Sequence, residues 1–228
     1  MIQFLHVTKI YANGVKALKD VSFYVEKGDF VFLVGPSGAG KSTLLNLIVR
    51  RETPTVGQVN VNGHNVARLR PRDLPALRRG VGYIFQDFKL LPDRTVFENV
   101  AFALEVLDMT RREIHRRVSS VLELVGLSDR AHAFPHELSG GQQQRVSLAR
   151  AVVGSPLVLL ADEPTGNLDP DTSWEIMDLL LEINRRGTTI LMATHNREIV
   201  NRMKKRVVAL EDGRIMRDEQ RGVYSYAD

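Results

Sequence analysis

The sequence predicts an α/β fold, a mainly parallel core sheet with a block of helices inserted into it. Three observations carry this expectation. Short apolar runs at residues 30–34, 81–85, 157–161 and 189–193 read as buried strands, and the first has no polar position at all, the habit of a strand covered on both faces. Helical patterns separate these runs, as strand–helix alternation requires. Over residues 95–151 the pattern becomes mostly helical, which marks the inserted block.

In order along the chain, Val21, Phe23 and Val25 alternate with Ser22, Tyr24 and Glu26, the period of a half-buried strand. Lys27-Gly28-Asp29 turns the chain into the run 30–34, and residues 42–50 have helical character. Val59 and Val61 before Asn62-Gly63 predict a short strand and turn. The run 81–85 ends at Gln86. Within the helical block, Val118, Val121, Leu122 and Val125 recur at i, i+3, i+4 and i+7. A helix over 171–186 is stopped by Gly187, between the last two apolar runs. The chain is expected to form one domain, 1–228, with its core at about 1–90 and 155–220, the helical block at about 92–152 and a tail at about 218–228.

At 228 residues the chain is long enough to bury a proper core. Its 43% hydrophobic and 25% charged residues are ordinary for a globular protein and exclude a disordered or fibrous class. There is no cysteine, hence neither a disulfide framework nor a thiolate metal site. No apolar run approaches the roughly 20 residues of a spanning helix, and residues 1–6 lack the features of a signal peptide. The expectation is a protein made and kept in the cytosol. The net charge is +4, with basic clusters at 68–79, 111–117 and 202–206. Interleaved Asp73 and Glu113 mark these as solvated helix faces; attraction to a membrane surface is a secondary reading, and no nucleic acid is expected.

Gly35-Pro36-Ser37-Gly38-Ala39-Gly40-Lys41-Ser42, followed by Thr43, matches the phosphate-loop pattern between a buried strand and a helix. Glycines let backbone N–H groups turn inward around phosphates, and the helix N-terminus adds positive potential. Lys41 is expected on the β- and γ-phosphates and the Ser42 hydroxyl on Mg²⁺. The run 157–161 delivers Asp162 and Glu163 to its C-terminal end, the edge where open parallel sheets bind ligands. Asp162 is expected to hold Mg²⁺ and Glu163 to polarise an attacking water; alone, the pair would read as an ordinary loop start. Ser139-Gly140-Gly141-Gln142 has the spacing of a helix capping box. The same capped start, with two glycines, is also an anion site.

Leu138-Ser139-Gly140-Gly141-Gln142, continued as Gln143-Gln144-Arg145, is the signature of the ATP-binding-cassette family, which the chain resembles from end to end. The resemblance implies a RecA-like core, an antiparallel β subdomain and an inserted helical subdomain, with ATP and Mg²⁺ as cofactors. It implies that Ser139 to Gln142 contact the γ-phosphate held by a second copy in a head-to-tail homodimer. Gln86 then senses Mg²⁺ and the attacking water, and His195 is the switch on the γ-phosphate. Asn167-Leu168-Asp169 lies at the dimer interface, and Tyr11 stacks on adenine. Without the family, His195 would read as a satisfied histidine and Tyr11 as a core or turn residue. The groove between core and helical subdomain, near Phe88, Leu90 and Leu91, is implied to receive a helix of a membrane subunit.

The block from Ala161 to Asp169 is similar to cassettes that serve mechanotransmitting membrane partners. Within that group, the stretches 86–91, 94–96 and 217–224 resemble the bacterial cell-division branch, although many of its members carry Glu where this chain has Gln142. The implied role is an ATPase at the cytoplasmic face of the membrane that moves an FtsX-like membrane protein to control peptidoglycan hydrolases. The alternative is the ATPase of a lipoprotein-releasing or macrolide-export complex.

Overall fold

The computed structural model describes residues 1–105, 107 and 109–224. Residues 225–228 of the expected tail, and 106 and 108 of the expected helical block, lie outside the described residues. In chain order come β1 (Ile2–Ile10), β2 (Lys16–Val25), β3 (Phe30–Val34), α1 (Lys41–Ile48), β4 (Val56–Val61), β5 (His64–Asn65), α2 (Leu74–Arg79) and β6 (Val81–Ile84). Helices α3 (Val96–Glu105), α4 (Arg111–Leu124) and α5 (Gly140–Val152) follow. The chain ends with β7 (Val158–Asp162), α6 (Pro170–Arg185), β8 (Thr189–Ala193), α7 (Arg197–Met203), β9 (Arg206–Glu211) and β10 (Arg214–Glu219).

The apolar runs become the inside of a six-stranded sheet in the order β10-β9-β3-β8-β7-β6. All of its strands are parallel except β10, which turns back on β9. All five residues of β3 are buried, and alternate side chains serve opposite faces. Phe30, Phe32 and Val34 join a core with residues of α3, α4, α5 and α6; Val31 and Leu33 join another with α1 and the antiparallel strands. Burying a large apolar side chain is worth about 1.5–3 kcal/mol. A strand with no polar position therefore has one stable place, the middle of the sheet.

Strands β2, β1, β4 and β5 form the antiparallel sheet, where the rings of Phe4 and Phe23 stack at 4.7 Å. Sequence periodicity did not disclose β1. Its pairing register shifts between Phe4 and Val7, where His6 takes a φ of 48°, so the two-residue alternation is broken by a bulge. Strand β10 was equally hidden, because an edge strand exposes alternate residues and carries Arg214, Arg217, Asp218 and Glu219.

In the helical block, Val118, Leu122 and Val125 are buried as their spacing predicts, whereas Val121 is only partly covered. The link into this block is held by one fully buried polar residue. Asn99 accepts a hydrogen bond from the Leu91 N–H at 2.8 Å and donates to the carbonyls of Leu91, Arg94 and Thr95 at 3.1, 2.9 and 3.0 Å. An Asn99→Ala change strands these backbone groups in the interior and is expected to cost about 2–3 kcal/mol. Urea unfolding monitored by circular dichroism checks this; a loss below about 0.5 kcal/mol would show that water replaces the amide.

Candidate nucleotide and magnesium site

The site begins where β3 runs out. Gly35 has a φ of 145°, and a Cβ there would lie 2.1 Å from the Leu210 carbonyl oxygen. Gly40 has a φ of 106°, and its Cβ would meet the Ala17 carbonyl oxygen at 2.6 Å. Neither position accepts a side chain. The loop so formed leads into α1, whose first turn has neither a side-chain cap nor an acidic residue. The N–H groups of that turn and the helix dipole therefore face the loop. Lys41 is buried at the loop's floor, its Nζ donating to the carbonyls of Gly35 at 2.8 Å and Pro36 at 3.0 Å.

Strand β7 brings the acids. The Ser42 hydroxyl donates to Asp162 Oδ1 at 3.1 Å, and the Tyr83 hydroxyl approaches Oδ2 at 3.5 Å. Burial raises the Asp162 carboxyl above its ordinary pKa; the Ser42 hydrogen bond opposes this, and the charge of Glu163 adds to it. Burial and the neighbouring carboxylate likewise push the Tyr83 phenol upward. Ser42 and Asp162 offer hard oxygen donors in contact with each other. No group of three or more His, Cys, Asp or Glu among the described residues could hold a metal by itself. This donor set fits Mg²⁺, which uses few protein ligands and completes its shell with phosphates and water, and does not fit zinc.

Glu163 stands in the left-handed region at φ 49°, a conformation that costs a non-glycine residue about 1–3 kcal/mol. Its N–H donates to the Ala193 carbonyl at the end of β8, 3.0 Å away. Its carboxylate accepts the His195 backbone N–H at 3.2 Å, and His195 Nδ1 lies 3.0 Å from the same Oε2. Two adjacent strand ends thus fix one carboxylate and one imidazole against each other. Gln86, two residues beyond β6, presents its backbone carbonyl to Asn167 Nδ2 at 3.3 Å.

A cleft of about 610 Å³ joins these groups, lined by residues 35–38 and 40–43 with Gln86, Asp162, Glu163, His195 and Tyr224. Ala39 is the loop residue that does not line it: its methyl lies in the core and its N–H donates to the Pro36 carbonyl. Tyr11 stands beside the cleft, its hydroxyl 3.1 Å from Thr43 Oγ1 and one ring face covered by the Lys9 ammonium. Sequence reasoning missed Tyr83, hidden in an apolar strand, and Tyr224, which arrives from the far end of the chain with no local signal.

The signature residues are elsewhere. Ser139 caps α5 in a capping box, accepting the Gln142 N–H at 3.3 Å while its own N–H donates to Gln142 Oε1 at 3.0 Å. None of residues 139–142 lines the cleft. Gly141 is packed so tightly on α6 that a Cβ would meet Thr172 Cγ2 at 2.4 Å. Asp169 caps α6 by accepting the Thr172 N–H at 2.9 Å, and hydrogen bonding from the Thr172 side chain and then its backbone lowers the Asp169 carboxyl pKa. Gly141 and Asp169 thus share Thr172 as a neighbour, outside the cleft.

The family model described as ABC transporter matches residues 18–166. The cell division ATP-binding protein FtsE of Bacillus subtilis (strain 168) is 58% identical over 228 residues, covering 100% of both chains. Its namesake from Mycobacterium tuberculosis is 58% identical over 225 residues, covering 98% of each chain. Among solved structures, a dimeric ATP-binding cassette in a post-hydrolysis state, bound to ADP and Pi, superimposes with a TM-score of 0.89. It is 37% identical and covers 98% of this chain and 100% of its own. Phosphate loop, strand-end acids, signature helix and cassette fold lead to one conclusion: the chain belongs to the ATP-binding-cassette family and is an ATPase that binds ATP.

Proposed function

We propose that the chain is the ATPase subunit of a cell-division ABC complex, working as a head-to-tail homodimer whose closure on ATP moves an FtsX-like membrane protein and so controls peptidoglycan hydrolases. The observation that carries the dimer is that the Ser139–Gln142 segment does not line the cleft built by its own phosphate loop. A capped, glycine-bearing helix start is an anion site, and a second copy's γ-phosphate suits it. A homologous cassette is dimeric with ADP and Pi bound, which supports that geometry. Full-length similarity to FtsE proteins supports the cell-division role.

In this reading the chain is one cassette domain, with its core at about 1–90 and 155–220 and the helical subdomain between them. Backbone N–H groups of residues 35–43 and the Lys41 ammonium bind the phosphates, Tyr11 supports the base, and Ser42, Asp162 and Gln86 hold Mg²⁺. Bound Mg²⁺ supplies charge neutralisation on the phosphate oxygens. Glu163 takes the proton of the attacking water, and His195 fixes the carboxylate's orientation and reaches toward the γ-phosphate. ATP drives motion because the closed dimer binds it more tightly than the open one.

The membrane partner's helix fits the groove of about 570 Å³ lined by Leu74, Pro75, Tyr83, Ala103, Leu107 and Arg150. Amphipathic helices dock into grooves of this kind. Phe88, Leu90 and Leu91 are not among its lining residues, and Leu90 packs on the core instead. No helix among the described residues is long and apolar enough to cross a membrane, so attachment at the cytoplasmic face comes through this partner.

Replacing Glu163 by Gln is expected to cut hydrolysis by about 10²–10⁴-fold, preserve ATP binding and double the mass seen by light scattering. Hydrolysis at the parent rate would remove Glu163 as the base. Lys41→Ala deletes a charge aimed at the phosphates and is expected to cost about 3 kcal/mol of ATP binding or turnover, measured by titration calorimetry and phosphate release. Capture of the Glu163→Gln protein with ATP from solubilised membranes tests the partner. An FtsX-like protein is the expected catch; a lipoprotein-releasing or drug-export permease would overturn the cell-division assignment.

A further inference from the structure

Arg150 sits in the last turn of α5, the helix that begins with the signature residues. Its two terminal nitrogens reach across to the loop after Gln86. One donates to the Lys89 carbonyl at 2.7 Å and the other to the Phe88 carbonyl at 2.8 Å. Both acceptors belong to non-glycine residues in the left-handed region, at φ 58° for Phe88 and 49° for Lys89. No carboxylate among the described residues forms a salt bridge with Arg150, and burial lowers its pKa. A guanidinium drawn out of water toward two main-chain carbonyls, with no counter-ion, is an expensive arrangement for a purely ornamental contact.

The rigid fork of a guanidinium spans two successive carbonyls, which the single ammonium of a lysine cannot do with the same geometry. The loop's other end is held by Asn167, whose amide donates to the Gln86 carbonyl. Asn167 follows Glu163 on the β7 side, whereas Arg150 belongs to the helical block. Arg150 also lines the groove together with Leu74, Tyr83 and Leu107. One side chain therefore touches the strained turn behind Gln86, the signature helix and the groove.

We propose that Arg150 is a positioning residue for Gln86: it fastens the turn at residues 88–89 to α5 and so holds the loop that presents Gln86 to the cleft. The proposal rests on the reading of Gln86 as a group that acts at the Mg²⁺ and water, and its test separates the two.

The experiment compares Arg150→Lys, Gln86→Ala and the double variant, using the complete chain in its membrane complex with Mg²⁺ and ATP. Arg150→Lys is expected to lower kcat by about tenfold with KM for ATP changed less than about twofold, the split left when a group is misplaced rather than removed. Hydrogen exchange at amides 87–91 is expected to rise about tenfold. In the double variant, the lysine change adds less than about twofold to the effect of Gln86→Ala, because residues acting as one unit are not additive. Independent, multiplicative effects would overturn the proposal. So would unchanged exchange at 87–91, even with a lower Tm, since Arg150 would then only stabilise the helical block. If Gln86→Ala leaves kcat intact, the reading of Gln86 fails, and the tie itself stands or falls on the exchange result alone. Arg150→Gln, which keeps a donor, replaces the lysine variant should that one not fold, with the same outcomes deciding.

Discussion

A sheet covered on both faces can present polar groups only at the ends of its strands, and the rest of this molecule follows from that constraint. β3, β6, β7 and β8 run parallel, so their C-terminal ends open at one edge. Gly35, Gln86, Asp162 and, just past β8, His195 are delivered to that edge by four different segments of the chain. Backbone bonds lock the arrangement: the Thr194 N–H donates to the Leu33 carbonyl at 3.1 Å, and the Glu163 N–H to the Ala193 carbonyl. The apolar clusters on either side reach the site only at their margins, through Tyr83 and Tyr224. They fix the strand ends to within the fraction of an ångström that a preorganised electrostatic site requires.

Around this edge the chain accepts conformations that cost free energy. Glu163, Phe88 and Lys89 are all left-handed without being glycine. Each is held by a neighbour from another part of the chain: Glu163 through β8, the other two through the Arg150 fork. Such strain persists where the surroundings over-determine it. The loop behind Gln86 has two owners, Asn167 on the β7 side and Arg150 on the helical side.

The signature segment shows one sequence feature meeting two physical demands. Its serine and glutamine cap α5 within the chain. Its second glycine is required by the close approach of Thr172. The cap takes up the Gln142 N–H and leaves those of Gly140 and Gly141 outside it. Asp169 is already engaged in capping α6, so its place near the signature segment has a local structural cause as well.

Much of the architecture was legible in the sequence, because burial on both faces leaves an apolar run that needs no alignment to see. β3 and β8 match their expected bounds, and α6 starts one residue earlier than expected because Asp169 caps it. β1 and β10 were not legible, since a bulge and an exposed edge erase the period on which such reading depends. The phosphate loop was legible as a motif from its local spacing, whereas Asp162 and Glu163, which alone read as an ordinary loop start, drew their expected roles from the loop upstream. Only the tertiary structure decided that Glu163 and His195 share a hydrogen bond, that Tyr83 reaches Asp162, that Ala39 turns inward, and that the signature helix stands away from its own cleft. Those relations join residues distant along the chain, and their distances are set by how helices seat on the sheet, which local spacing does not encode.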